Sequence, residues 1–525
     1  MRQIAGSGHI HCVDAAAARR PEPSAGSAVI GIHDGVDPSI AVLQDGVIHY
    51  AARTERLTRV PLQDLLRDAG SEVKVACHVR ADRSIWQWRS HQSRRRELLA
   101  AGYHGKIQPV DTHRALAAAA YYTAPWSDQK TMVLIYDALG ARAFIAENGK
   151  FTECSKIGEF DSLERFSGRV ARGLGLAPMD LMHLGAHASG DLFADLFQLA
   201  PDSPGHRRRR KVSVTKILHR NRFDTIAASV QRTVESVLTE WVKNLMRETA
   251  VRRFACSGSL FANPRANLAI LEIPRVEALY VFPSCGMEAT SIGAACEIAA
   301  AAGCAIQPVA SPCWGDAILD EDAEAAIRSL AGPGVHCRRV AQIERVVAEN
   351  LARGNIVARV RGAAEFGANP LGNRSVLCKA DSLDAAAEIR RKLRRPEFWT
   401  PLVLSVLAER SCDYLEKPAS APFPHATIAA RARPEKRHAL AAAIHPRDAI
   451  ACPHEVLESH NPDYWRLLRE YEEITGEAAL VCTSFQIAGE PPVYSARDAV
   501  SAFLRSGLDF MALGNWWIAR SRTAT

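Results

Sequence analysis

The chain has no CxxC pair, although it carries 13 cysteines, an odd number spread from Cys12 to Cys482. That spacing argues against a zinc ribbon or a disulfide framework and points to reduced thiols in a cytoplasmic protein. No window reaches about 18 uninterrupted apolar residues, so no helix is expected to cross a membrane. The first 28 residues lack the continuous apolar segment of a secretory leader. They also lack periodicity and read as a mobile tail, in which the string HIHC at His9 to Cys12 is a chance cluster rather than a metal trap. Aromatic residues make up 7%, and none is interleaved with the basic blocks at Arg94 to Arg96, Arg207 to Lys211 and Arg390 to Arg395. Without stacking platforms these blocks read as solvated loops. Neither nucleic acid nor a membrane surface is therefore an expected partner, despite a net charge of +7.

What is present has the balance of a soluble globular enzyme: 525 residues, 47% hydrophobic and 23% charged, long enough for two or three units with their own cores. Ordered structure is expected from AVIGIHDG, an apolar strand running into glycine and acid. SIAVLQDGVIHYAAR follows, where a DG turn joins two strands. The same grammar returns at residues 131–153, TMVLIYDALGARAFIAENGKFTE, whose strand ends on Asp137 and whose hairpin turns on NGK. A duplicated unit is implied. Alanine-rich stretches such as RALAAAAYY and TSIGAACEIAAAAG read as helices between the strand sets, so the fold class is α/β. The segment GCAIQPVASPCWGD breaks this rhythm. The expected organisation is a tail over 1–28, a two-lobed N-terminal domain over 29–305, a linker over 306–339 and a C-terminal domain over 340–525. The string IWQWRS, with Trp86 and Trp88, reads as a half-buried strand.

Several strings occur in one order. They are IGIHDGVDPSIAV, TERLTRV, HRALAAAAYYTAPW, LIYDALG, MHLGAHASGD, CSGSLFANPRAN and VFPSCGMEATSIGAA, then EFGANPLGNRSVL, PEFWTPLVLSVL, NPDYWRLL, CTSFQIAGEPPV and FLRSGLDFMALGNWW. From about residue 29 onward the chain resembles the ATP-dependent O-carbamoyltransferases of nodulation-factor and antibiotic biosynthesis, as a divergent member. The resemblance implies an N-terminal domain of the actin and sugar-kinase type, two ribonuclease-H-like lobes related to the threonylcarbamoyl-transfer proteins. It also implies a C-terminal α/β domain like the threonylcarbamoyl-adenylate synthases. In such proteins the C-terminal domain joins carbamoyl phosphate and ATP into a carbamoyl-adenylate. The N-terminal domain, with bound iron, then passes the carbamoyl group to a small-molecule hydroxyl.

The positions that the resemblance assigns to this chemistry are largely replaced. Two metal-binding histidines four apart on a helix fall on Thr112 and Leu116, and His113 beside them reads as a helix-surface or capping residue. Asp137 keeps a third ligand position; the fourth is Met287, with Glu288 adjacent but turned by about 100°. Iron is not expected. The acid/base histidine falls on Val36, while Asp37 and Ser39 persist, either as base and neighbour or as turn caps. The catalytic candidates are Asp37 and Asp137.

In EFGANPLGNRSVL an arginine has become Asn369 and an alanine Pro370, whereas Gly367, Gly372, Asn373, Arg374 and Ser375 remain. A lysine maps to Arg394, two arginines to Pro396 and Thr400, and another to Cys452, with Arg447 nearby. Ser484, Gly489 and Glu490 persist, while Cys482, Gln486 and Ala488 replace two asparagines and a basic residue. ATP or another nucleotide would thus be held by Gly372, Asn373, Arg374, Ser375, Arg394, Ser484 and Glu490. Each lost phosphate contact costs about 1.5–3 kcal/mol. Two readings stay open. One is a divergent carbamoyl or acyl transferase acting on a small-molecule hydroxyl, with Cys285 or Cys482 as nucleophile or plain core thiol. The other is a degenerate paralogue that partners an intact carbamoyltransferase.

Overall fold

The computed structural model describes residues 28–34, 37–53, 73–79, 98–100, 102–158, 162–188, 218–332, 334–395, 397–399, 402–418 and 422–521. The HIHC string, Val36, IWQWRS, the basic blocks at 94–96 and 207–211, Pro396 and Thr400 lie outside them.

Two five-stranded sheets repeat one plan. The first contains β1 (Ala28–His33), β2 (Ser39–Gln44), β3 (Val47–Arg53), β4 (Val73–Val79) and β5 (Ile107–Asp111), in the order β3-β2-β1-β4-β5. The second contains β6 (Thr131–Asp137), β7 (Gly140–Glu147), β8 (Lys150–Ile157), β9 (Arg253–Ser257) and β10 (Ala278–Val281), in the order β10-β9-β6-β7-β8. In each, an antiparallel three-strand meander is extended by two parallel strands beside its first strand. This is the duplicated ribonuclease-H-like plan. β1 and β6 are buried throughout, which is why AVIGIH and TMVLIYD show no apolar-polar alternation. Both hairpins turn on two residues with positive φ, Asp45 (50°) with Gly46 (81°) and Asn148 (50°) with Gly149 (75°). The DG and NG pairs fit because these residues tolerate the left-handed region best.

The helices Thr112–Tyr122 and Ala289–Ala301 meet backbone to backbone. A Cβ on Gly293 would lie 1.7 Å from Ala115 O, and one on Gly31 would lie 1.8 Å from Ser291 O. Small residues are required there because no side chain fits between the two layers. The first of these helices is capped by Asp111, whose side chain accepts from Arg114 N, so His113 is not the cap. Nor is it on the surface: it is buried. The first turn is buried as well as the rest of the helix, which overturns the surface-or-cap expectation.

The C-terminal domain is built on β11 (Val335–Arg339), β12 (Val357–Val360), β13 (Arg374–Lys379), β14 (Val403–Leu407), β15 (Leu415–Glu416), β16 (Ala430–Ala432), β17 (Ile450–Ala451), β18 (Pro453–Val456), β19 (Ala479–Ser484), β20 (Phe510–Leu513) and β21 (Trp516–Arg520). Eight of these form a mixed sheet, β11-β21-β20-β12-β13-β19-β14-β18, and β15-β16-β17 form a small separate one. Residues 306–339, expected as a linker, contain the helix Asp320–Leu330 and the edge strand β11, which pairs with β21. That helix buries only Ala323 and Ala326, too narrow an apolar stripe to stand out after the prolines and glycine at 308–315. One cluster of buried apolar side chains joins part of the second lobe to the C-terminal sheet, a second joins Val29 and Ala41 of the first lobe to Val133 and Ala255 of the second, and a third lies within the first lobe. Among the described residues no helix is long and apolar enough to cross a membrane.

Candidate functional site at the domain seam

Five strands of the C-terminal sheet place their loops at one end. β12 and β19 finish there, and β13, β14 and β18 begin there. The stretch 365–377 spans the gap between β12 and β13 and faces the N-terminal domain. Gly367 (φ 119°) packs on Ser284, and Phe366 lies against Trp314.

The stretch is an anion-binding nest that is already filled. The backbone N–H groups of Leu371, Asn373 and Arg374 donate to Glu365 Oε1 at 3.2, 2.7 and 3.1 Å. A carboxylate of the chain itself therefore takes the place an external anion would use. Gly372 (φ 98°) is forced, since a Cβ would lie 2.5 Å from the Tyr464 ring. Arg374 is equally committed. Its Nε donates to Tyr494 O (2.9 Å), Nη1 to Gly362 O (3.0 Å) and Nη2 to Asp316 O (2.8 Å), so it ties segments together instead of facing an anion. Asn369 donates to His425 O (3.0 Å) and Ala426 O (3.3 Å), a neutral strap where the resemblance places an arginine.

Strand register fixes which side chains share a face. Arg359 stands opposite Ser375, Ser375 opposite Ser484, and Ser405 opposite His454. With Cys482 one alternation from Ser484, they form a polar row across β12, β13, β19, β14 and β18, covered by Tyr464 of the helix Pro462–Thr475. The His454 ring stacks on Tyr464 at 5.9 Å, and the Arg359 guanidinium lies 5.2 Å from the same ring. Arg359 is 2% exposed; Nη1 donates to Gly372 O (2.7 Å) and Asn373 Oδ1 (3.1 Å), while Nη2 has no partner. His454 Nδ1 is also buried without a partner, and burial pushes that imidazole down to about 3. Burial likewise raises the Cys482 thiol to about 11 and raises Cys285 further, so both are core thiols rather than ready nucleophiles. Ser311, Cys313, Leu371, His454, His460 and Asn461 line a crevice of about 10 Å³, room for about one water.

Arg394 is exposed at φ 56°, whereas Arg395 turns inward. Its Nη1 donates to Thr483 Oγ1 (3.1 Å), and its Nη2 to Ser484 O and Gln486 Oε1 (3.3 Å each). Glu490 pairs with Arg505, which holds its carboxyl below the usual range, with a smaller contribution from Arg394. Sequence reasoning missed Arg359, Arg395, Glu365 and His454. Only Arg359 left a signal, a charge inside the apolar strand VARV.

On the N-terminal side, Asp37 (φ 56°) pairs with Arg53 at 3.3 Å, and Arg53 reaches Glu288 at 3.7 Å. Ser284 donates to Glu288, and Ser39 to the Glu288 carbonyl, so these groups stand just beyond Gly367. At the end of β6, Asp137 Oδ1 accepts from Leu139 N (2.7 Å) and lies 3.2 Å from His113 Nε2. Glu164 is nearby, accepting from Ser259 Oγ (2.6 Å); burial, with Asp137 adding to it, raises its carboxyl to about 7. Asp37 and Asp137 thus occupy separate clusters. Thr112 and Leu116 are buried and supply no imidazole, and among the described residues no three His, Cys, Asp or Glu side chains gather as a metal set. The residues present do not fit iron.

The model for the carbamoyltransferase N-terminus matches residues 192–296, and that for the carbamoyltransferase C-terminus matches 348–520. The chain belongs to the carbamoyltransferase family. This carbamoyltransferase-family chain is 25% identical to nodulation protein NolNO of Sinorhizobium fredii over 94% of its own length and 80% of that protein. It is 26% identical to nodulation protein NolO of Bradyrhizobium diazoefficiens, covering 74% and 73%. It is 30% identical to the uncharacterized protein MJ1058 of Methanocaldococcus jannaschii, over 60% of this chain and 54% of that one. Among solved structures, component A of Acidaminococcus fermentans (R)-2-hydroxyglutaryl-CoA dehydratase aligns with 52% of the chain at a TM-score of 0.33 and 16% identity.

Proposed function

We propose that this family member transfers a carbamoyl or related acyl group from an adenylate, assembled with ATP at the end of the C-terminal sheet, to the hydroxyl of a small molecule in the N-terminal cleft. The observation that carries this reading is Arg359, whose Nη2 is buried without a hydrogen-bond partner at the loop end of the C-terminal sheet. His454 Nδ1, in the same polar row, is likewise buried without a partner. A guanidinium nitrogen without an acceptor favours an anionic donor. Asp37, with Arg53 beside it, stands on the acceptor side as candidate base. Incubation with carbamoyl phosphate and ATP should release pyrophosphate, and release no faster than in a protein-free control rejects the reading.

A second reading, a non-catalytic partner of an intact carbamoyltransferase, is favoured by Asn369, which straps the loop shut, and by Thr112 and Leu116. It predicts tight association with such a paralogue and no pyrophosphate release.

A further inference from the structure

Three histidines meet where the second lobe touches the C-terminal domain. His183 belongs to the helix Pro178–Gly185, His187 follows four residues on, and His445 comes from the C-terminal domain. The His183 and His445 rings stack with centroids 5.9 Å apart and planes at 26°; His187 meets His445 edge-on at 5.9 Å. His183 Nδ1 and His187 Nε2 are buried without partners.

The groups facing this cluster leave it short of negative charge. Arg265 approaches from the helix Pro264–Leu271, but its charge is matched by Asp448 (2.5 Å) and Glu235 (3.5 Å) rather than by an imidazole. Asp180, on the histidines' own helix, is taken by Ala177 N and Trp399 Nε1. Cys452 lies near Arg265 and Asp448 as a neutral thiol, and the Phe398 ring covers His187 at 5.8 Å. Among the described residues no carboxylate lies within ion-pair distance of the three rings. The same seam is crossed by Asn267 Nδ2 donating to Thr427 O (2.7 Å) and Ala429 N donating to Pro264 O (3.1 Å).

We infer that the stacked pair His183 and His445, with His187 against its edge, forms a proton-sensitive latch between the second lobe and the C-terminal domain, closed while the stacked pair is neutral. Burial first, then the neighbouring rings and Arg265, hold His183 down to about 3, and burial and Arg265 do the same for His445. A solvated imidazole titrates near 6.5. The sign follows: a base whose docked value is depressed supports docking fully above about pH 6.5, and that support is lost as pH falls from 6.5 towards 3. Uptake of two protons on opening shifts the open-to-docked ratio by up to about 100-fold per pH unit in that window.

Hydrogen exchange of the full chain, corrected for intrinsic rates, tests this between pH 8 and 5. Protection of peptides covering 178–188 and 440–450 should fall at least tenfold from pH 6.5 to 5.5, while 131–147 holds. The double variant His183→Gln/His445→Gln should flatten the profile; if it does not fold, His187→Gln at the edge of the cluster should shift the profile instead. A flat wild-type profile overturns the latch, and so does a variant profile that follows the wild type.

Discussion

The two sides of the seam carry opposite charge and treat it differently. On the C-terminal side stand Arg359, Arg374 and Arg395, bonded to carbonyls, hydroxyls and amides, with one Arg359 nitrogen left over. On the N-terminal side stand Asp37, Asp137, Glu164 and Glu288, each engaged by Arg53, His113 or a serine. Each side keeps buried polar atoms without a hydrogen-bond partner, Arg359 Nη2 on the cationic side and Asp137 Oδ2 and Glu288 Oε2 on the acidic side. The spare atom on the cationic side is a donor, which favours an anion, whereas those on the acidic side are acceptors, which favour a donor such as a hydroxyl.

The contrast can be broken at its frame first. Glu365→Ala strands three amides and should cost about 4 kcal/mol, read as a lower midpoint in urea unfolding. Gly372→Ala sets a Cβ against Tyr464 at a left-handed φ, and should cost about 3 kcal/mol in the same measurement. Arg359→Gln should weaken phosphate or ATP binding by about 10- to 100-fold in calorimetry, whereas His113→Asn should leave it unchanged. Equal losses from both variants would erase the distinction between the two sides.

Glu164→Gln probes the acidic side by pH. A carboxyl raised to about 7 stabilises the fold fully below about pH 4.5, and that contribution disappears as pH rises through 7. The variant should therefore gain about 1–2 kcal/mol on the wild type at pH 8 and nothing at pH 4, by denaturant titration at both values. Asn369→Ala, which removes only the strap to 425–426, should cost about 1 kcal/mol.

The fold was legible where local chemistry leaves no choice. The Asp45-Gly46 and Asn148-Gly149 turns, the unbroken apolar strands and the alanine-rich helices each announce the element they form. The site was legible only to within a residue. Ser375 and Ser484, picked out by motif, do stand opposite each other in register. Arg374 lies one position from Ser375, and strand alternation sends it to the other face; Arg394 points out where Arg395 turns in. His113 was misread because helix phase alone does not tell which flank of a buried first turn meets β6. The helix Asp320–Leu330 was hidden by its own polarity.

Gly293 meets Ala115, and Gly31 meets Ser291, with backbone against backbone. Such contacts hold no side chains that could repack, so a single methyl added at either glycine must push the two layers apart.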